Sequence, residues 1–83
     1  MEFNHQLNDL LLRTGEKFYD IRHQRNEKLT SVARAIGTSH SVISLVENGR
    51  YHCLSLELVS KLANYYNVKL AIELENDKNN LLL

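Results

Sequence analysis

The sequence predicts a mainly α-helical fold, a compact bundle of four to five helices ending in one short C-terminal β-strand. Three observations carry this. There is no proline and there are only three glycines, which leaves long stretches free to be helical. Apolar residues recur at i, i+3, i+4 and i+7 in successive stretches up to Tyr66. After Asn67 the apolar period drops from helical to two. A chain of 83 residues holds one domain, here expected over 1–83, and its 43% apolar and 24% charged residues are those of a globular protein.

The first helical stretch, Phe3 to Arg13, carries Phe3, Leu7, Leu10 and Leu11 on one side, and Phe18 and Ile21 continue the stripe toward Arg25. Gly15 leaves two possibilities open: one long helix, or an N-terminal helical extension over 3–14 followed by a core that begins near 18. Asn26 is a candidate cap for a second helix with Leu29, Val32, Ala33 and Ile36 on its buried face, ending at Gly37. Thr38 or Ser39 caps a third, in which Val42, Ile43 and Val46 point inward and Asn48-Gly49 supplies a left-handed stop. Two helices joined by about three residues including a glycine make a helix-turn-helix unit.

Ser55 opens a fourth helix with Leu56, Val59, Leu62, Ala63 and Tyr66 on one face, and Asn67 suits the left-handed residue that ends it. Val68, Leu70, Ile72 and Leu74 then alternate with Lys69, Ala71, Glu73 and Glu75, which predicts a half-buried strand over 68–75. A lone strand leaves its backbone unsatisfied, so its partner is either an extended N-terminal segment near Phe3 or the same strand of a second copy. Residues 76–83 read as a frayed tail.

Composition excludes several classes. Continuous apolar runs such as Leu10-Leu11-Leu12 are far shorter than the roughly 20 residues that span a bilayer. One cysteine, Cys53, makes no internal disulfide, and the chain opens without a signal-peptide profile, so a reducing cytoplasm is the expected compartment. His5, His23, His40, His52 and Cys53 show no metal-ligand spacing, and no phosphate-cradling loop, nucleophile elbow or carboxylate pair is present. The expectation is a non-enzyme without cofactor or metal. The net charge is zero, but seven basic residues (Arg13, Lys17, Arg22, Arg25, Lys28, Arg34, Arg50) face four acidic ones (Glu16, Asp20, Glu27, Glu47) between Arg13 and Arg50. That stretch can present a positive surface, or simply a mixed solvated one.

The segments Ile21-Arg22-His23-Gln24-Arg25 and Val32-Ala33-Arg34-Ala35-Ile36-Gly37-Thr38-Ser39-His40-Ser41-Val42-Ile43-Ser44-Leu45-Val46-Glu47-Asn48-Gly49 strongly resemble the phage repressor/Cro (XRE) family of helix-turn-helix DNA-binding domains. Ser55-Leu56-Glu57, Leu62-Ala63 and Asn67-Val68 resemble the family's fourth helix, and the likeness runs over about 18–68. It implies a lambda-repressor-like bundle that binds double-stranded DNA as a homodimer. It also implies a bacterial or phage-type protein held at the nucleoid through DNA. In the family, positions matching Arg22 and Glu47 form a structural salt bridge between the first and third helices. The chain departs from the pattern in carrying Lys28-Leu29 where Thr-Gln often stands, and in a loop from Arg50 to Leu54 that lacks the usual proline and is one residue longer.

A helix beginning at His40 turns His40, Ser41, Ser44 and Leu45 away from Ile43 and Val46, toward a major groove. His40, Ser41 and Ser44 are the candidates for hydrogen bonds to base edges, and Leu45 for contact with a thymine methyl. The bland alternative makes the polar three helix-start residues and Leu45 an incidental exposure. Thr38, Ser39, Asn48, Arg50 and Lys28 are the candidate phosphate contacts.

A single domain of this kind buries little surface on DNA, and a two-fold dimer spans two half-sites. Leu58, Tyr65, Val68, Leu70, Ile72 and Leu74 are the candidate dimer interface. A strand at this point is a departure from the familiar phage repressors, where a fifth helix follows, and resembles shorter and toxin-linked repressors of the superfamily. The competing reading is an antitoxin-like module whose main partner is a second, toxin-like protein, motivated by Leu45, Leu58, Tyr65 and the apolar segment around Leu7, Leu10 and Leu11.

Overall fold

The computed structural model describes residues 2–74, with side chains from residue 5 onward. Four helices follow in order: α1 Glu2–Gln24, α2 Leu29–Ile36, α3 His40–Glu47 and α4 Leu56–Tyr65. α3 packs against both α1 and α2, and α2 packs against α4. Phe18, Val32, Ala33, Ile43, Val46, Val59, Leu62 and Tyr66 meet between them as the buried core.

All four helices stop by one device. Asn26, Gly37, Gly49 and Asn67 take positive φ. In each case the next residue's N–H donates back to a carbonyl five positions earlier: Glu27 to Arg22, Thr38 to Ala33, Arg50 to Leu45 and Val68 to Ala63, at 2.9–3.1 Å. This left-handed closure satisfies carbonyls that a helix end leaves free. Ser39 and Ser55 start α3 and α4 as expected, their hydroxyls accepting from Val42 N–H at 3.2 Å and Leu58 N–H at 3.1 Å.

Two expectations are corrected, and the alternative left open at Gly15 is decided. Asn26 does not cap α2; it closes α1, because the same short amide that suits an N-cap also tolerates left-handed backbone. The N-cap of α2 is Lys28, whose extended backbone has no side-chain cap bond. Gly15 is not a break: α1 runs straight through it. A Cβ there would stand inside contact distance of the Val46 carbonyl oxygen and 2.8 Å from that of Glu47, so the glycine lets α1 cross against the end of α3.

The second correction concerns the C-terminal strand. Residues 68–74 form no strand, and among the described residues the last backbone bond in this region is Val68 N–H to Ala63 O. The segment runs beside Leu7, Leu10 and Leu11 of α1 and Leu56 and Val59 of α4, with which it lines an apolar groove of about 570 Å³. Its neighbours are helices whose own backbone groups are already bonded, and α1 is helical from Glu2, so no extended N-terminal segment is there to pair with it. Residue 75 and the expected tail 76–83 lie outside the described residues.

Candidate nucleic-acid interface

α3 is built with two unlike sides. Ile43, Val46 and Glu47 are buried, whereas His40, Ser41 and Leu45 are exposed and Ser44 is half-buried. Residues at i, i+1, i+4 and i+5 share one side of a helix, so the four candidate readout residues form a single strip. Leu45 is 40% exposed.

The inner side is held by an ion pair. Arg22 Nε donates to Glu47 Oε2 at 2.7 Å and Arg22 Nη2 to Glu47 Oε1 at 2.9 Å, a bidentate fork. Arg22 Nη1 donates to the Glu27 carbonyl at 2.8 Å, so one guanidinium ties α1 to α3 and to the turn before α2. The bonds to Glu47 raise the Arg22 pKa above its ordinary value. Glu47 is the only carboxylate on α3, and burial against Arg22 takes its charge off the outer strip. That strip is therefore free of negative charge, as a surface facing phosphates and base edges requires.

The candidate phosphate contacts occupy the edges of this strip. Lys28 and Ser39 stand exposed at the N-terminal ends of α2 and α3. Because Lys28 makes no side-chain cap bond, the first N–H groups of α2 are left open, a feature that favours anions at a helix start. Thr38 is half-buried in the turn and its N–H is committed to Ala33 O. Asn48 is exposed, but its amide donates to the Ser44 carbonyl at 2.9 Å and reaches Ser44 Oγ at 3.4 Å, so it also holds the last turn of α3 in shape. Arg50 is exposed just beyond.

The candidate dimer residues divide. Val68, Leu70, Ile72 and Leu74 are exposed on the C-terminal segment. Leu58 and Tyr65 are instead half-buried and packed on their own core. The Tyr65 hydroxyl donates to Glu27 Oε1, and its ring meets that of Tyr66 edge-on at 5.1 Å. That hydrogen bond pushes the Tyr65 pKa up. The residue missed by sequence reasoning is Gly15, whose contact with the α3 terminus sets where the strip sits relative to α1.

Among the described residues no group of histidine, cysteine, aspartate or glutamate side chains is placed to hold a metal ion, and no helix is long and apolar enough to cross a membrane. No curated protein and no solved structure matches the chain significantly. A family model described as Helix-turn-helix matches residues 21–72, the span from the end of α1 through α4 into the C-terminal segment. With its two-sided α3 and with more than half of its length inside that match, the chain belongs to the helix-turn-helix family of Cro/repressor-type DNA-binding regulators.

Proposed function

We propose that the protein is a transcriptional repressor that binds a palindromic operator as a homodimer. α3 enters the major groove, His40, Ser41 and Ser44 hydrogen-bond base edges, and Leu45 packs on a thymine methyl. Lys28, Thr38, Ser39, Asn48 and Arg50 hold the phosphates on either side, with the open N–H groups of α2 adding to the anchor. Repression follows from occupancy: a dimer seated across two half-sites excludes other proteins from the same duplex.

The observation that carries this reading is the contrast between the two sides of α3. Its inner side is fixed by the core and by the Arg22–Glu47 pair, while its outer strip is exposed and carries no carboxylate. A rigid helix with a free polar face pre-organises the contacts, so little ordering is lost on binding. Selection of bound sites from random duplex DNA tests it. The expected product is a palindrome with half-site centres about 10–10.5 base pairs, or a multiple of that, apart. Selected sites without two-fold symmetry would exclude the homodimer on a palindrome.

A second reading, an antitoxin-like module that holds a protein partner, is favoured by one feature, the exposed apolar set of Leu10, Leu56 and Leu45. The two are separated by salt. Phosphate contacts weaken steeply as salt rises, with log K falling by about 0.9 per neutralised phosphate per decade of salt, whereas an apolar protein interface does not.

A further inference from the structure

The C-terminal segment combines apolar alternation with a backbone that finds no partner among the described residues. Ile72 is 63% exposed and Leu74 95% exposed. Among the described residues, none from 69 to 74 makes a backbone hydrogen bond. When such a segment is drawn out, its alternating apolar side chains make it an open strand edge, whose missing bonds another strand supplies.

The sequence of the segment specifies which strand. In an antiparallel pair, residues directly opposite share a face, so a two-fold axis through one residue i pairs i−1 with i+1, i−2 with i+2 and i−3 with i+3 of the second copy. With the axis at Ala71, Lys69 faces Glu73 of the other copy, and Glu73 faces its Lys69, giving two opposite-charge pairs on one side. On the other side Leu70 faces Ile72 and Val68 faces Leu74. The smallest side chain in the segment meets its own twin at the axis. An axis at Leu70 sets Lys69 against Ala71, and an axis at Ile72 sets Glu73 against Ala71, so neither neutralises both charges within 68–74.

We infer that residues 68–74 pair with the same residues of a second copy as an antiparallel β-ribbon whose two-fold axis passes through Ala71. The ribbon's apolar side covers the groove beside Leu10 and Leu56 in both copies. This rests on the homodimer reading above and fixes its register. The strand legible in the sequence then exists in the dimer, where its missing partner is supplied.

The test uses the full chain with the exposed Cys53 replaced by serine. Opposed residues in an antiparallel pair have Cα atoms about 4.5–5.5 Å apart, within disulfide reach, while twins offset by two positions lie about 7–8 Å apart, at or beyond it. Ala71→Cys is therefore expected to oxidise rapidly to a covalent dimer, and Leu70→Cys slowly. By sedimentation equilibrium, Lys69→Glu should weaken the dimer roughly 2- to 30-fold, since two charge pairs become repulsive, and Lys69→Glu/Glu73→Lys should restore it. A wild-type dimer in which Leu70→Cys cross-links faster than Ala71→Cys, or in which Lys69→Glu changes nothing, overturns this register and leaves dimerisation standing. A wild type that sediments as a monomer, on and off DNA, overturns both.

Discussion

Arg22 on α1 and Glu47 at the end of α3 meet through two hydrogen bonds of 2.7 and 2.9 Å, with both residues buried. The pair fixes the angle at which α3 leaves the core. Removing one member leaves a buried, uncompensated charge, which typically costs about 3–5 kcal/mol, whereas replacing both by apolar residues is often neutral or better. Glu47→Ala is expected to lower unfolding stability by that amount in urea titration, and Arg22→Met/Glu47→Leu to recover most of it. A Glu47→Ala protein with unchanged stability would remove the pair from the account.

Gly15→Ala runs against the usual helix rule. In an exposed helix interior alanine is better than glycine by about 0.5–1 kcal/mol. Here the added methyl meets the backbone carbonyls of Val46 and Glu47, which have no flexible end to move aside. Overpacking of this kind costs about 1–3 kcal/mol, so the variant should unfold at lower denaturant and, by tilting α3, bind DNA less tightly. Thermal unfolding with an operator titration checks both.

Tyr66 places its hydroxyl in the core, where that oxygen finds no hydrogen-bond partner among the described residues. Burial, with Glu47 and Glu27 nearby, pushes its pKa up to about 12. The folded state therefore holds the phenol proton longer than the unfolded chain does, and the stability this gives is full below about pH 10 and lost as the pH climbs toward 12. Tyr66→Phe is expected to be within about 1 kcal/mol of wild type at neutral pH, because it discards an unsatisfied group, and to resist alkali better. Denaturation curves at pH 8 and pH 11 measure the difference.

On DNA, the outer strip and its flanks separate by kind of loss. Ser41→Ala and Leu45→Ala should each cost about 1–3 kcal/mol on the selected operator and little on random duplex. Lys28→Ala and Arg50→Ala should weaken both alike and reduce the salt slope by about one phosphate each. Equal losses on specific and random DNA for Ser41→Ala would take it out of base readout.

Much of this was legible in the sequence because the helix signals were local. Ser39, Ser55, Gly37, Gly49 and Asn67 stop or start helices through their own backbone and side chain, and the apolar stripes of α2, α3 and α4 name most of the core, except that Leu56, expected on the inner face of α4, is exposed at its first turn. Illegible were the features that depend on what lies across the molecule. Gly15 carries the same letter as a helix stop, yet its role is set by two carbonyls some thirty positions away. Asn26 suits both an N-cap and a left-handed stop, and the decision falls to the closure bond from Glu27 to Arg22. Leu58 and Tyr65 lie at the margin of the α4 stripe, where spacing alone does not tell own-core packing from a surface for a partner. The alternation over 68–74 marks a strand edge, but a strand forms only where another backbone lies beside it.

An amide-shift titration of the labelled protein with its selected operator duplex locates the DNA-binding face. With α3 in the major groove, the largest changes are expected on His40, Ser41, Ser44 and Leu45 and at the starts of α2 and α3, while amides lining the groove near Leu7 and Leu10 stay put. Changes concentrated at that groove, with α3 unmoved, would contradict this placement.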